Sequence, residues 1–197
     1  MTRARAAVLA LSLLAYPAAS CATPPRTPAD ETTPPTQSRA AQAQNDVRAR
    51  AEALLDRGAP AQDWKALGAD GLRALEQISN DPAAPPERRA RAIQAMGVLE
   101  LPEATGKLAA ILKDAHAEPR YRAQAATAIA RLSGDDVGPA LDAALADPNA
   151  QVRLAVARAL AGVGGETARG AIEKRLSEEE DAAVREALEQ SLTKQQP

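Results

Sequence analysis

The chain has 197 residues, of which 45% are hydrophobic but only 2% aromatic, and its formal net charge is −2 with a single cysteine. This length allows one domain of ordinary size with shorter flanking segments. The slight acidic balance gives no overall attraction to nucleic acid, and a lone cysteine excludes an internal disulfide. Beyond the first twenty residues, no stretch of the sequence is long and apolar enough for a transmembrane helix.

Residues 1–20 have the form of an export signal. Arg3 and Arg5 give a basic start, residues 6–15 form an apolar run, and small residues precede Cys21. This arrangement resembles a bacterial lipoprotein signal, which implies cleavage before Cys21 and lipidation of that residue. The resemblance predicts an exported membrane lipoprotein that faces the periplasm, with Ala22 favouring the outer membrane. An ordinary secretory signal with a chance cysteine is the alternative.

A proline-rich segment follows the lipidation site. Residues 22–44 hold five of the fifteen prolines and no apolar residue larger than alanine. Because such a segment cannot bury a core, it predicts a disordered tether over residues 21–44 that begins at the lipidated cysteine. The remaining chain then divides into a repeat domain at residues 45–193 and a short tail at residues 194–197.

A short phrase recurs through the second half of the chain. It begins at Arg89, Arg122, Arg153 and Arg185, which are 33, 31 and 32 residues apart. Apolar residues recur at offsets three and seven from each arginine and small residues at offset six, which fits a helical face that packs closely on a neighbour. Repeats of this length indicate stacked supersecondary units.

Each phrase is followed by a second helical segment, predicted at residues 102–114, 136–147 and 165–176, so that one unit is a pair of antiparallel helices. An atypical first unit is centred on Arg48, and an inserted stretch separates it from its second helix at about residues 70–79. Atypical terminal units are expected at the ends of a stack. The pattern predicts an all-α solenoid of about four and a half antiparallel helix pairs.

The stretch ALADPNAQVRLAVARALAGVG, residues 144–164, resembles HEAT repeats of the short bacterial, phycobilin-lyase type. In that family an acidic residue precedes the arginine by about six positions, as Asp147 precedes Arg153 here. In the two earlier units the acid lies eight positions before the arginine. The resemblance implies a structural ladder between units, and a basic stripe for an anionic partner is the alternative. The ladder would contain Arg89, Arg122, Asp147, Arg153, Glu179 and Arg185.

The same resemblance implies that the second helices line the concave face, where a partner would bind. The polar residues predicted there are Arg73, Gln77, Lys107, Lys113, Asp142, Arg169 and Glu173. Trp64 is either an exposed anchor for a partner or the cap of the apolar core, and the core interpretation is favoured. The local basic density around Arg91 and Arg120 is interpreted as solvated helix surface.

Sites for chemistry have little support in the sequence. His116 lies beside Asp114 and Glu118, but there is no second histidine and no credible catalytic triad. We therefore expect no enzymatic activity, no cofactor and no metal. The favoured function is a membrane-tethered scaffold that binds an unknown protein at the cell envelope. The alternatives are a lyase-like enzyme or enzyme accessory subunit, as in phycobilin lyases, and a nucleic-acid-binding domain, as in HEAT-like DNA glycosylases; no nucleic acid is expected as a partner.

Overall fold

The computed structural model describes residues 35–195, and this range is helical with no strand. The predicted signal peptide, Cys21 and the tether as far as residue 34 lie outside the described residues. The helices are α1 (Pro35–Arg57), α2 (Ala61–Lys65), α3 (Gly68–Asn80), α4 (Pro86–Met96), α5 (Pro102–Lys113), α6 (Pro119–Ile129), α7 (Val137–Asp142), α8 (Ala150–Val163), α9 (Gly165–Glu178) and α10 (Ala182–Lys194).

The helices stack in two layers. The first helices of the units, α1, α4, α6, α8 and α10, lie side by side, and the second helices α5, α7 and α9 do the same on the other side. Each second helix also packs against the first helix of the following unit, from α3 on α4 to α9 on α10. The prediction of an all-α solenoid with four and a half helix pairs is confirmed.

The repeated offsets form the apolar core. The residues at offsets three and six are all buried, and those at offset seven are fully buried except for half-buried Leu192. Small residues bring the helices close together. A β-carbon on Gly97, at the end of α4, would lie 2.5 Å from the carbonyl oxygen of Ala128 in α6. The members of the buried columns are Ala92, Ala95, Met96, Ala125, Ala128, Ile129, Val156, Ala159, Leu160, Leu188 and Ser191.

Helix α1 differs from the prediction at its start. It begins at Pro35, so residues 35–44 are helical rather than part of an extended tether. Residues 39–44 are mainly alanine and glutamine, which are good helix formers. Proline is tolerated in the first turn of a helix, so Pro35 does not oppose this start.

Helix α7 is shorter than the predicted segment at residues 136–147. Its regular part ends at Asp142, and the next residues form tight turns in which the Ala144 and Leu145 amides donate to carbonyls three residues back. Such bonds satisfy the carbonyl groups at the end of the helix. Leu145 is 4% exposed, so this residue of the predicted apolar pattern lies in the core although it follows the end of the regular helix.

The insertion in the first unit forms the short helix α2. Its tryptophan, Trp64, is 5% exposed and belongs to the hydrophobic core. The indole Nε1 donates to the carbonyl of Ala59 at 3.3 Å. Trp64 is therefore part of the packing of the first unit, which agrees with the core interpretation and not with an exposed anchor.

Candidate interaction surface

Two of the four predicted ladder arginines make bidentate ion pairs between units. Arg122 donates to both carboxylate oxygens of Asp147 at 2.8 and 2.9 Å, and Arg153 donates to both oxygens of Glu179 at 2.8 Å. Both acids lie in the loop that begins the following unit. We call each ion pair between a first-helix arginine and the loop acid of the following unit a rung. A third rung, made by a single hydrogen bond of 2.5 Å, joins Arg48 to Asp81.

The rungs correct the pairing that the spacing of six residues suggests. Asp147 does face Arg153, but through its main-chain carbonyl, which accepts a hydrogen bond of 2.8 Å. Its carboxylate pairs with the arginine of the preceding unit. The carbonyl of Glu179 accepts from Arg185 at 2.5 Å in the same way. The arginines therefore fasten the loop before their own helix, and Arg122 and Arg153 also hold the loop of the next unit.

Each loop acid also stabilises its own loop. The carboxylates accept hydrogen bonds from main-chain amides two residues further on, at distances between 2.8 and 3.0 Å. These amides lie in the turns that lead into the first helices, so each carboxylate fixes the turn before its helix. The four acids are Asp81, Asp114, Asp147 and Glu179.

The rungs near the C-terminal end are shielded from water. The side chains of Arg122 and Asp147 are 6% and 8% exposed, and those of Arg153 and Glu179 are 12% and 0% exposed. Hydrogen bonding from Arg153, with smaller contributions from the Asp181 amide and Arg175, lowers the pKa of Glu179 from 4.5 to about 2. The Glu179 carboxylate in turn raises the pKa of Arg153. The Arg153–Glu179 pair is therefore charged near neutral pH and joins one unit to the next.

One position in the ladder is built differently. Arg89 donates to the carbonyl of Ser79 at 2.9 Å, but its guanidinium stacks on the ring of Tyr121, 4.5 Å from the centroid. Arg120 covers the same ring at 4.6 Å and donates to its hydroxyl oxygen at 2.7 Å. The repeat pattern of the sequence did not predict this stack. The one sequence feature that could have indicated the stack is the aromatic residue directly before Arg122, since the equivalent position in the next unit is Val152.

The residues predicted to bind a partner lie on the second helices, but most of them are engaged within the chain. Arg73 pairs with Asp70 at 2.9 Å, Lys107 with Glu76 at 2.5 Å, and Arg169 with Glu173 at 2.9 Å. The remaining predicted residues, Gln77, Lys113 and Asp142, are exposed. Arg73 and Gln77 share a groove of about 230 Å³ between α1 and α3 with Ala40, Ala43, Gln44, Val47, Asp70 and Ala74.

The first-helix layer carries two further grooves. One lies between α6 and α8, where Thr127 and Arg158 flank the half-buried Leu154. The other lies where α1, α4 and the end of α6 meet, and it is lined by Arg91 and Arg131 among others. Both grooves are shallow and open to solvent, which suits contact with a surface or a peptide more than enclosure of a small molecule.

Chemistry-bearing residues are dispersed over the described part of the chain. His116 is exposed in the loop before α6. Among residues 35–195, no three histidine, cysteine or acidic side chains are placed together where they could hold a metal ion. None of the helices that the structure describes combines the length and apolar character needed to cross a membrane.

Comparison with known proteins agrees with the fold. Residues 107–193 match the family of HEAT repeats. No curated protein matches the chain significantly. Human deoxyhypusine hydroxylase, solved in complex with glycerol, superposes with a TM-score of 0.56 and 25% sequence identity over 63% of this chain. The complex of CpcE and CpcF of phycocyanin lyase from Nostoc sp. PCC7120 gives a TM-score of 0.50 and 21% identity over 68% of this chain.

The matched structures are longer than the superposed region. The superposition covers 43% of the human hydroxylase chain and 58% of the phycocyanin lyase chain. At these identities the superpositions describe architecture, and the activities of those proteins belong to the whole proteins. The stacked helix pairs and the family match at residues 107–193 together show that this part of the chain is built from HEAT repeats.

Proposed function

We propose that this HEAT-repeat domain is a scaffold that binds another protein at the bacterial cell envelope. The observation that carries the proposal is the set of buried rungs, because Arg122–Asp147 and Arg153–Glu179 hold successive helix pairs in fixed register. A surface that is rigid before binding loses little conformational entropy when a partner docks. The HEAT-repeat match also favours protein binding, and one structural neighbour is itself a complex of two chains.

The second part of the proposal is a membrane anchor at Cys21 on the periplasmic side, in the outer membrane. It rests on the lipoprotein-like pattern of residues 1–21. Helix α1 begins at Pro35, so residues 22–34 would be the whole connection between the lipid and the first helix. An anchor at Cys21 would thus keep the repeat domain close to the membrane surface.

Protein binding is tested by mild crosslinking in intact cells, followed by affinity purification of the full-length chain from solubilised envelopes. We expect one or a few proteins to be recovered in stoichiometric amounts with the wild-type chain. The control is a chain with Glu179→Leu, which disrupts the last rung and should reduce recovery together with helical stability. Repeated recovery of no specific protein from the wild-type chain would reject the scaffold.

The anchor is tested separately with Cys21→Ala. We expect this change to abolish metabolic labelling with a radioactive fatty acid and to release the chain from washed membranes, while the helical circular dichroism signal is unchanged. Cys21→Ser should behave in the same way because serine cannot form the thioether. Membrane retention of both variants at the wild-type level would contradict the anchor.

A second candidate function is an accessory subunit of an enzyme, or a lyase-like enzyme. The specific observation in its favour is that, of the similar solved structures, one is an enzyme and another is part of one. An accessory subunit would change the turnover of its captured partner when the purified proteins are mixed. If the partner has no catalytic activity, alone or in the mixture, the enzyme-related function is rejected and the scaffold function remains.

A further inference from the structure

The two helix layers differ in charge. The first helices α4, α6 and α8 contain seven arginines and one carboxylate, Glu87. The second helices α5, α7 and α9 contain five basic and five acidic residues. The chain as a whole is slightly acidic, so this concentration of positive charge belongs to the three central helices of the first layer. The layer that the sequence resemblance favoured for binding is the neutral one.

Most of these arginines are used within the chain. Arg122 and Arg153 form rungs, Arg88 pairs with Asp56, and Arg120 lies near Glu87 and Glu118. That leaves a smaller set on the outer side of the layer. Arg91 and Arg158, with Arg131 just beyond α6, are exposed and make no ion pair among residues 35–195. Arg91 makes one long hydrogen bond, of 3.4 Å, to the carbonyl of Leu55.

These three arginines belong to one continuous surface. Gln94 donates to Gln124 at 2.6 Å and so connects α4 to α6. Arg91, Gln94 and Arg131 line the groove beside α4, while Thr127 and Arg158 line the groove between α6 and α8. Thr127 and Arg131 lie four residues apart on α6 and its final turn, so they join the two grooves. We call this surface the basic strip: Arg91, Gln94, Gln124, Thr127, Arg131 and Arg158.

We propose that the basic strip binds an acidic segment of the partner protein. This rests on the proposed scaffold function and assigns its binding face. Arginine is suited to paired hydrogen bonds with carboxylates, and the glutamine and threonine side chains between the arginines can bond a peptide main chain. On the adjoining α1–α2 segment, Asp56 and Asp63 are already paired with Arg88 and Arg57, so they compete little for the strip.

The grooves favour a protein segment over a lipid surface. Leu154 in one groove and Val98 in the other are half-buried apolar residues beside Arg158 and Arg91. A peptide that alternates acidic and apolar side chains can place carboxylates on the arginines and apolar groups in the grooves. A flat layer of anionic headgroups would meet the arginines but leave the grooves unfilled.

The test uses the full-length chain and a fluorescein-labelled peptide of about 15 residues that alternates glutamate with leucine. Fluorescence anisotropy is measured at low and high salt for the wild-type chain and for a variant with Arg91→Gln, Arg131→Gln and Arg158→Gln. We expect the strip variant to bind about tenfold more weakly, with a smaller dependence on salt, because three exposed charges are removed. A lysine–leucine peptide should not bind.

The matched control removes three exposed cations outside the strip, with Arg39→Gln, Lys174→Gln and Lys194→Gln. It should change affinity by less than about twofold, since pairing at the strip is local and distant charge is screened. Equal weakening in both variants would overturn the proposal, and so would absence of binding to the wild-type chain. If binding to vesicles that contain phosphatidylglycerol depends on the strip arginines, and binding of the peptide does not, the strip is a lipid-binding surface instead.

The failure of this inference is distinguishable from failure of the scaffold. If the strip variant still captures the envelope protein that the wild-type chain captures, the scaffold stands and its binding face lies elsewhere. If the wild-type chain captures nothing, the scaffold itself is rejected. Thermal unfolding followed by circular dichroism shows in each case that the variant is folded.

Discussion

Arg153 holds the carboxylate of Glu179 with two hydrogen bonds of 2.8 Å, although the acid lies 26 residues further along the chain. The glutamate side chain has no exposed surface, and Arg175 also bonds its carboxylate at 2.9 Å. The pair joins α8 to the loop that begins α10. Its geometry explains why a single buried charge can control the attachment of the last helix.

Neutralising that acid should destabilise the domain. In Glu179→Gln the two arginines lose their shared negative charge while the side chain keeps its size. We expect a loss of about 3 kcal/mol in the free energy of unfolding, since removal of one partner leaves buried charge uncompensated. Urea unfolding followed by circular dichroism measures this change.

The neighbouring residue provides the control. Glu180 is exposed, and Glu180→Gln should alter the free energy of unfolding by no more than about 0.5 kcal/mol. If Glu179→Gln changed the free energy of unfolding as little, the rung would contribute no net stability. Another contact would then have to fix the register of the units.

The same carboxyl makes the stability depend on pH. Its pKa falls from 4.5 to about 2 on folding, so the unfolded chain binds more protons between these values. The stabilisation is complete above pH 4.5 and is lost as the pH falls toward 2, with a contribution of order 3 kcal/mol. Urea midpoints measured between pH 7 and pH 2.5 should decline less steeply in Glu179→Gln than in the wild-type chain. Parallel pH curves for the two chains would show that other titrating groups determine the loss of stability in acid.

The helical architecture could be predicted because its determinants are local. The small and apolar columns that begin with Ala92, Ala95 and Met96 recur at a fixed distance from each arginine, and their buried side matches the periodicity of a helix. The start of α1 at Pro35 could not be predicted from proline content, since alanine and glutamine decide the conformation of residues 39–44.

The contacts of the ladder could not be predicted in this way, because they join distant parts of the chain. The spacing of Asp147 and Arg153 indicated a relationship, but only the stacked structure shows that the carboxylate belongs to Arg122. The stack of Arg89 on Tyr121 joins two neighbouring helices, so the sequence of neither helix alone predicts the contact. The unequal charge of the two layers was also hidden, because the net charge averages over both.

Close packing between α4 and α6 leads to a prediction at Gly97. A β-carbon there would lie 2.5 Å from the carbonyl oxygen of Ala128, which is main chain and cannot move aside easily. Gly97→Ala should therefore cost about 1–3 kcal/mol through overpacking. Thermal and urea unfolding both report this effect.

Gly106 in α5 is the matched control. A β-carbon at that position meets no atom within 4 Å. Gly106→Ala should stabilise the domain by up to about 1 kcal/mol, because alanine restricts the unfolded chain and favours the helix. Stabilisation by both alanines would show that α4 and α6 can separate without cost.

Trp64 provides a prediction for the first unit. With 5% of its surface exposed, it should emit at short wavelength and be protected from acrylamide. Trp64→Ala should lower the free energy of unfolding by about 3 kcal/mol through loss of buried area and creation of a cavity. Trp64→Phe, which keeps an aromatic ring, should cost less. Fluorescence that is fully quenched in the native state would contradict the buried position.

The direction of the rungs along the chain affects how such a domain can gain or lose units. Arg122 and Arg153 find their acids 25 and 26 residues ahead, and the next arginine follows at 31 or 32. A duplicated block of one such period would carry both an arginine for the unit after it and an acid for the unit before it. Gain or loss of a whole unit therefore preserves every remaining rung, and the span of the surface can be adjusted by gene duplication without redesign of the joints.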